Sequence, residues 1–287
     1  MNARFKDPEE DYSSLIRNIT NEEIDFFWKN GWVFLADYVD DDLANEAREH
    51  YKAWLKLPYD EWPEDPEDQT KFNAAVDRML QPQIQFNIRL DDPWMNNFLC
   101  QRQFGKAVWD ILSHEINTVP KIQMFSDTLH VKQPIASGKT ADLLWHQDYP
   151  SLSIDRAEAI QTWIALAPLT PEMGTMRHLS GSHHEWPHGL HQQAGETIEQ
   201  AYPELFKKYP MCEARSYNSG DAVLHHCLTY HGSKGNETNR IRWGMSCYRI
   251  TSRCIYTGQA LSHTNDQGLE LFKPLPPDHP RFPIVYP

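Results

Sequence analysis

Residues 220–242 read GDAVLHHCLTYHGSKGNETNRIR, and this stretch decides the type of fold. Its first part, residues 221–231, combines apolar and β-branched residues and runs into a Gly-Ser turn, which predicts a strand. A second turn signal, Gly-Asn at 235–236, separates it from another extended segment at 240–250. The stretch therefore predicts two successive strands of a β-rich domain.

The rest of the chain places helices before strands. Further extended segments are predicted at residues 121–133, 142–149 and 159–167, and a short helix at 197–208. Upstream, capping and helical periodicity predict helices at residues 20–29, 41–57 and 92–117, with a strand at 32–39 and an acidic, proline-rich loop at 58–68. This order predicts an α+β domain with a β-sandwich or jelly-roll core.

A His-x-Asp pair, His146 and Asp148, lies in the predicted strand 142–149. Residues two apart on a strand point to the same face, so this imidazole and this carboxylate can reach one metal ion. Two histidines and one carboxylate form the facial triad of non-haem Fe(II) oxygenases, which leaves positions open for a co-substrate and O₂. The second histidine must come from another strand.

Two histidines of the opening stretch compete for that role. His225 and His231 are six residues apart, so they share a face if the strand alternates without a break. Alternation alone does not choose between them. The position of His231 at the end of the strand, beside the Gly-Ser turn, favours His231.

An arginine follows eleven residues after His231. Arg242 lies in the next predicted strand, and a guanidinium can form a bidentate fork to a carboxylate such as the distal one of 2-oxoglutarate. Arg240, two residues earlier, points to the same face and is its rival. For Arg240, a structural or surface ion pair is the simpler interpretation.

Taken in order, these motifs resemble the phytanoyl-CoA dioxygenase family of Fe(II)- and 2-oxoglutarate-dependent oxygenases. The segments that carry the resemblance are residues 32–39, 131–134, 145–148, 162–166, 179–183 and 220–242. It covers about residues 20–250 of a single predicted domain, 1–287, and leaves 251–287 as a C-terminal extension.

The resemblance implies a double-stranded β-helix, the cupin-like jelly roll, flanked by N-terminal helices. It implies that the catalytic iron ligands are His146, Asp148 and His231. It implies that Arg242 binds the C5 carboxylate of 2-oxoglutarate, with Trp163 near the co-substrate and Thr128 on the same pocket wall. The implied reaction uses O₂, releases succinate and CO₂, and usually hydroxylates the substrate, with desaturation, epoxidation, ring rearrangement and oxidative cleavage left open. We expect the substrate to be a small-molecule metabolite or natural-product intermediate.

Composition narrows the choice of partners. The net charge of −13 argues against nucleic-acid binding, and the lack of a Lys/Arg cluster disfavours a CoA ester. No apolar run approaches the roughly 20 residues that span a bilayer, and the N-terminus does not read as a signal peptide. Five cysteines without Cys-x-x-Cys spacing predict reduced thiols. We therefore expect a cytoplasmic monomer or homodimer.

Two other classes of function use parts of the same pattern. A non-catalytic jelly-roll protein would bind a ligand without turnover, and a zinc-dependent, cupin-like hydrolase or isomerase would use the His and Asp ligands without 2-oxoglutarate. Metal content and 2-oxoglutarate dependence separate these two classes from the oxygenase.

The histidine-rich stretch 178–191 suggests a second metal site, but its irregular spacing favours a polar loop.

Overall fold

A computed structural model describes residues 9–77, 84–114, 118, 120–185, 196–259, 264–265 and 267–287. Its α-helices are α1 (Asn21–Asn30), α2 (Asp41–Leu55), α3 (Pro66–Val76), α4 (Pro93–Leu99), α5 (Arg102–Ser113), α6 (Ile198–Ala201) and α7 (Pro203–Lys208). Its strands are β1 (Trp32–Leu35), β2 (Ile84–Phe86), β3 (Ile122–Lys132), β4 (Leu143–His146), β5 (Ala159–Ala165), β6 (Arg177–His178), β7 (Ala222–His226), β8 (His231–Ser233), β9 (Arg242–Thr251) and β10 (Ile284–Tyr286).

The strands form two antiparallel sheets. The large sheet has the order β1-β7-β5-β9-β3-β10, with β2 also paired to β3, and the small sheet has the order β4-β8-β6. Helices precede most of the strands, and the two sheets form the halves of a curled barrel. The predicted α+β class with a jelly-roll core is confirmed.

The first helix begins and ends as its sequence predicts. Thr20 caps α1 by accepting a hydrogen bond from the Glu23 N–H, and the Glu23 carboxylate accepts one from the Thr20 N–H. Gly31 ends the helix with a φ of 79°, which favours glycine. A Cβ at Gly31 would lie only 2.5 Å from Nδ1 of His183, so this close approach also requires glycine.

Several predicted elements differ from the structure. The predicted helix 197–208 is divided into α6 and α7 around Tyr202, and the predicted strand 32–39 ends at Leu35. The predicted helix 92–117 is divided into α4 and α5, because the chain takes non-helical angles at Cys100 and Gln101; residues 115–117 lie outside the described residues. The predicted loop 58–68 runs into α3, which begins at Pro66 because Asp65 caps it and proline suits the first helical position.

The predicted strand 221–231 is also divided. Residues 222–226 form β7 in the large sheet, whereas His231 begins β8 in the small sheet. Between them, the Thr229 hydroxyl donates a hydrogen bond to the Gly31 carbonyl at 2.6 Å. The Tyr230 N–H donates one to Oγ of Ser182 at 2.9 Å. These contacts with distant segments carry the chain from one sheet to the other.

The two faces of the large sheet have different neighbours. Trp243 and Met245 of β9 lie in the core formed with the N-terminal helices, and the Tyr51 hydroxyl of α2 contacts the Met245 sulfur at 3.9 Å. Arg242 and Tyr248, at even spacing on the same strand, face a cavity on the other side. The alternation along β9 thus separates structural residues from residues available for function.

A buried ion pair joins the C-terminal segment to the large sheet. Arg89 and Asp127 are fully buried, with Nε and Oδ1 3.4 Å apart. The Arg89 guanidinium also donates hydrogen bonds to the carbonyl oxygens of Pro280 and Arg281. Residues after 251 therefore pack on the same sheet, and β10 pairs with β3.

We expect Arg89→Met to lower the free energy of unfolding by about 3–5 kcal/mol, because it leaves the buried Asp127 carboxylate without its partner. Lys71→Met is the matched control, because Lys71 forms exposed ion pairs, which contribute about 0–1 kcal/mol. Urea unfolding measures both variants. A loss below about 1 kcal/mol in Arg89→Met would contradict the role of the pair.

No helix in the described part of the chain combines the length and apolar character needed to cross a membrane. None of the five cysteines, all of which lie in the described residues, is paired in a disulfide.

Candidate active site

A cavity of about 190 Å³ lies between the inner face of the large sheet and the small sheet. The structure places at this cavity all six residues that the sequence selected: Thr128, His146, Asp148, Trp163, His231 and Arg242.

At one side of the cavity, three candidate metal ligands converge. His146 ends β4, His231 begins β8, and the two residues are paired across these strands. Oδ1 of Asp148 lies 3.5 Å from Nε2 of His146 and 3.6 Å from Nε2 of His231. One ligand atom from each residue falls within 4.8 Å of the others, which is the arrangement a single metal ion needs.

Backbone contacts orient both imidazoles. Nδ1 of His146 lies 2.7 Å from the Leu144 carbonyl oxygen, and Nδ1 of His231 lies 3.0 Å from that of Thr229. A carbonyl only accepts, so each Nδ1 carries the proton and donates it. In its neutral form, each ring therefore presents the lone pair of Nε2 to the cavity, as a metal ligand must.

The backbone conformation that brings Asp148 to the cluster differs from the strand alternation that the sequence predicts. The strand ends at His146, two residues earlier than Asp148, and Asp148 has φ −76° and ψ −33°, the start of a 3₁₀ turn. Its N–H donates a hydrogen bond to the Cys227 carbonyl at 3.0 Å. The prediction that both side chains lie on one face of an extended strand is therefore wrong, although the two groups do meet.

The rival histidine also contacts Asp148, but on the other oxygen. His225 is fully buried on β7, and its Nε2 lies 2.9 Å from Oδ2 of Asp148. Its neighbour His226 points away and packs against Trp28 and His183.

Arg242 lies apart from the candidate ligands, on the large-sheet wall of the cavity. Its guanidinium stacks 4.7 Å from the centre of the Trp163 ring, and the side chain is almost fully buried. Burial lowers the pKa of Arg242 to about 10, so the group stays charged at neutral pH. Among the described residues, its Nε has no hydrogen-bond partner and no carboxylate forms an ion pair with it.

Arg240 takes no part in the cavity. It precedes β9, is exposed, and donates a hydrogen bond to the Pro168 carbonyl at 3.4 Å. Within the described residues it forms this contact and not the ion pair that was the simpler interpretation of the sequence.

Besides Ser151 in the 3₁₀ turn after Asp148, four polar strand residues that sequence reasoning did not select line the cavity: His130, Gln161, Ser233 and Tyr248. Each lies at an even spacing along its strand from a selected residue. Strict alternation from the selected residues was the signal that could have found them.

Most of these polar groups are neutral. Burial, with a contribution from nearby Arg242, lowers the pKa of His130 to about 3. Burial raises the pKa of Tyr248 well above its ordinary value, and Gln161 donates a hydrogen bond to the Tyr248 hydroxyl oxygen. The cavity therefore combines the Arg242 guanidinium, the Asp148 carboxylate and neutral polar groups such as His130 and Tyr248.

The histidine-rich stretch contributes no second group of metal ligands among the described residues. His178 lies on β6 beside His225, and His183 lies beside Trp28. His188 and His191 of this stretch lie outside the described residues.

The sequence matches the phytanoyl-CoA dioxygenase (PhyH) family over residues 27–244. A search of curated protein sequences gives no match. Because the family match covers most of the chain, the chain belongs to this family. The enzyme class predicted from the sequence, an Fe(II)- and 2-oxoglutarate-dependent dioxygenase, is thereby confirmed.

Three solved structures with the same fold align with this chain over more than 90% of its length. SnoK, a non-haem α-ketoglutarate-dependent carbocyclase from nogalamycin biosynthesis, is 19% identical, with a TM-score of 0.69 over 93% of this chain and 96% of its own. EctD from S. alaskensis, with 2-oxoglutarate and 5-hydroxyectoine, is 17% identical, with a TM-score of 0.69 over 91% of each chain. The epimerase SnoN, in complex with Fe³⁺, α-ketoglutarate and nogalamycin RO, is 17% identical, with a TM-score of 0.68 over 92% of this chain and 97% of its own.

Proposed function

We propose that His146, Asp148 and His231 hold Fe(II) and that Arg242 binds the C5 carboxylate of 2-oxoglutarate, in an enzyme that hydroxylates a small molecule. The observation that carries this proposal is the buried guanidinium of Arg242. A buried charge without a partner is costly, so its place on the cavity wall favours an anionic ligand. A 2-oxo acid with a distal carboxylate suits this site, because its chelating end can bind the metal while its distal carboxylate binds Arg242.

Neighbouring polar groups support an anion at the Arg242 end. Lys132, the strand partner of Arg242, is also buried, and its ammonium donates hydrogen bonds to carbonyl oxygens, including those of Ala141 and Ser233. Burial and the charge of nearby Arg242 lower the pKa of Lys132 to about 7, so an anion bound at this end would favour its charged form. Oγ of Ser233 has no hydrogen-bond partner within the described residues, which leaves it available to a polar ligand.

The candidate ligands suit iron. Two imidazoles and one carboxylate are the donors of the facial triad, and they leave three of six positions open. When bound, iron and 2-oxoglutarate supply the oxidising chemistry, which consumes O₂ and releases succinate and CO₂. The protein's own residues orient the imidazoles, hold the co-substrate by its distal carboxylate, and line the cavity with side chains that limit the entry of water.

Trp163 and Thr128 have supporting roles in this proposal. The Trp163 ring forms a platform that holds the Arg242 guanidinium in place. Thr128 is buried on β3 and adds a hydroxyl to the same wall.

We propose a small, uncharged or weakly charged substrate, such as a metabolite or natural-product intermediate. The groups remaining after Arg242 and Asp148 are assigned are neutral, which supports a substrate recognised through hydrogen bonds and apolar contacts. The ligands named for EctD and SnoN are also small molecules. The composition of the chain supports a cytoplasmic location.

The test is an anaerobic titration of the apo-protein with Fe(II) and then 2-oxoglutarate, followed by the visible metal-to-ligand charge-transfer band. We expect the band in the wild type and its loss in His146→Ala. His184→Ala is the matched control, because His184 is exposed and outside the cavity, and it should keep the band. Succinate release then scores candidate substrates.

Other outcomes favour the competing classes. Tight zinc binding without a 2-oxoglutarate band would favour the cupin-like hydrolase or isomerase. The absence of metal binding in folded protein would favour a ligand-binding role.

Gly244→Ala is expected to weaken 2-oxoglutarate binding indirectly, through Trp163 and Arg242. A Cβ at Gly244 would lie 2.3 Å from Cζ2 of Trp163, so the ring that supports Arg242 must move. Overpacking of this kind costs about 1–3 kcal/mol, and we expect roughly a tenfold rise in the KM for 2-oxoglutarate with little change in Fe(II) affinity. An unchanged KM in the folded variant would contradict the role of Trp163 as a platform.

A further inference from the structure

We propose that His225 is a positioning residue that keeps Asp148 a one-oxygen metal ligand, and that His178 and Cys212 fix the tautomer of His225 that does so. The inference rests on the proposed function, because it assigns His225 a role in holding the iron ligand.

The two oxygens of Asp148 have different partners. Oδ1 faces the Nε2 atoms of His146 and His231 at 3.5 and 3.6 Å. Oδ2 lies 2.9 Å from Nε2 of His225, and both side chains are buried. An ionised carboxylate only accepts hydrogen bonds, so Nε2 of His225 carries the proton and donates it. The Tyr248 hydroxyl is a further hydrogen-bond partner of the Asp148 carboxylate. Oδ1, which faces the two imidazole Nε2 atoms, is the oxygen placed to bind the metal.

Behind His225, further contacts lead to buried His178 and then to half-buried Cys212. With its proton on Nε2, a neutral His225 has a bare Nδ1, and this atom lies 3.4 Å from Nε2 of His178. If His178 donates there, its own Nδ1 is bare and faces Sγ of Cys212 at 3.9 Å. A thiol is a weak donor that can complete the series. In this arrangement Cys212 donates to His178, His178 donates to His225, and His225 donates to Asp148.

The rings in this series have little freedom to turn. His178 stacks on Trp32, with ring centres 5.0 Å apart and planes inclined by 11°. Nε1 of Trp32 donates a hydrogen bond to Oγ of Ser180 at 3.0 Å. Trp32 and His225 are also paired across β1 and β7, which fixes their separation.

The arrangement has a consequence for the number of open metal positions. Three protein ligands leave three of six positions, two for a chelating 2-oxo acid and one for O₂. If Asp148 bound through both oxygens, it would occupy a position that the co-substrate or O₂ needs. The hydrogen bond from His225 occupies Oδ2 and favours binding through Oδ1 alone.

The first test compares Fe(II) affinity by anaerobic calorimetry in three variants. His225→Phe keeps the ring shape but removes the donor, and we expect about 10–100-fold weaker Fe(II) binding, the usual effect of losing a hydrogen bond to a metal ligand. His225→Gln restores an N–H near Nε2 and should recover most of the affinity. His226→Phe, the control on the same strand, should bind Fe(II) like the wild type.

The outcomes separate this inference from the proposed function. Wild-type affinity in a folded His225→Phe variant, checked by thermal unfolding, would overturn the inference. A wild type that binds Fe(II) but gives no band with 2-oxoglutarate would contradict the co-substrate assignment, and the His225 comparison would still decide the positioning role.

The second test reads the tautomer in the apo-protein without any activity. Nitrogen chemical shifts of labelled histidine should show His225 protonated at Nε2, with assignment from the His225→Gln spectrum. His178→Phe retains a ring against Trp32 but removes the nitrogen that faces His225, and we expect a fraction of the second tautomer to appear. If none appears, Asp148 alone fixes the tautomer and the part assigned to His178 and Cys212 is wrong. A wild-type His225 protonated only at Nδ1 would overturn the inference, because Oδ2 would then face a bare nitrogen.

Discussion

Asp148→Asn is expected to weaken Fe(II) binding at least about 100-fold and to reduce succinate release to background. Loss of a partner that only supports a ligand already costs 10–100-fold in metal affinity, so loss of a charged ligand costs at least the upper end of that range. Asparagine keeps the size of the side chain but removes the negative charge that offsets the charge of the metal.

The environment of Asp148 makes asparagine an unusually poor replacement. Nε2 of His225 donates to one oxygen of Asp148, so the amide oxygen of asparagine turns towards His225. Its NH₂ group then faces His146 and His231, where it cannot bind a metal. The substitution therefore puts an NH₂ donor in the place of Oδ1, the proposed metal-binding atom.

Metal retention after anaerobic dialysis, together with calorimetric Fe(II) affinity, measures the effect. Asp142→Asn is the control, because Asp142 lies just before β4, is largely exposed, and contacts Lys234 and Gly235. We expect it to keep Fe(II) affinity. Wild-type iron binding and turnover in Asp148→Asn would mean that the carboxylate is not a ligand.

Local signals in the sequence predicted much of the fold. Thr20 and Gly31 predicted both ends of the first helix, because caps act through neighbouring backbone groups. The extended segments 121–133, 159–167 and 240–250 correspond closely to β3, β5 and β9. The helix caps act within a few residues, and the β-branched, apolar character of the strands is also a local pattern, although the strand pairings themselves join distant segments.

The path of the chain around Asp148 could not be predicted in the same way. Alternation treats residues 221–231 as one strand, and on that basis His225 and His231 are equivalent. Contacts of Thr229 and Tyr230 with Gly31 and Ser182 break the strand and send the two histidines to different sheets. Those contacts join segments up to 198 residues apart, so no local pattern contains them.

This division explains how both histidines reach the same carboxylate. His231 arrives from the small sheet on the side of Oδ1, and His225 arrives from the large sheet on the side of Oδ2. The ambiguity between them in the sequence corresponds to two different roles in the proposed site, ligand and ligand support. A search for the second metal ligand alone could not distinguish these roles.

Arg242→Ala is expected to raise the KM for 2-oxoglutarate by at least about 30-fold. Removing one partner of a buried, hydrogen-bonded charge pair costs about 2–5 kcal/mol, which corresponds to roughly 30- to 5,000-fold in affinity. Fe(II) affinity should remain close to that of the wild type, because Arg242 does not belong to the ligand cluster.

A co-substrate analogue makes this test specific to the distal carboxylate. 2-Oxopentanoate has the same chelating group and chain length as 2-oxoglutarate but lacks the C5 carboxylate. The wild type should strongly prefer 2-oxoglutarate, whereas Arg242→Ala should bind both acids with similar, weak affinity. The preference of Arg242→Lys for 2-oxoglutarate should lie between those of the wild type and Arg242→Ala. An ammonium keeps the charge but loses the two-pronged geometry of the guanidinium.

Arg240→Ala is the matched control for the arginine assignment. Arg240 is exposed and contacts the Pro168 carbonyl, so its loss should leave both the KM and the preference for 2-oxoglutarate unchanged. The preference is the decisive quantity, because a general loss of packing would weaken both acids equally and leave their ratio intact. If Arg242→Ala kept the wild-type ratio, the C5 carboxylate would have to bind elsewhere, and the buried guanidinium would have another partner.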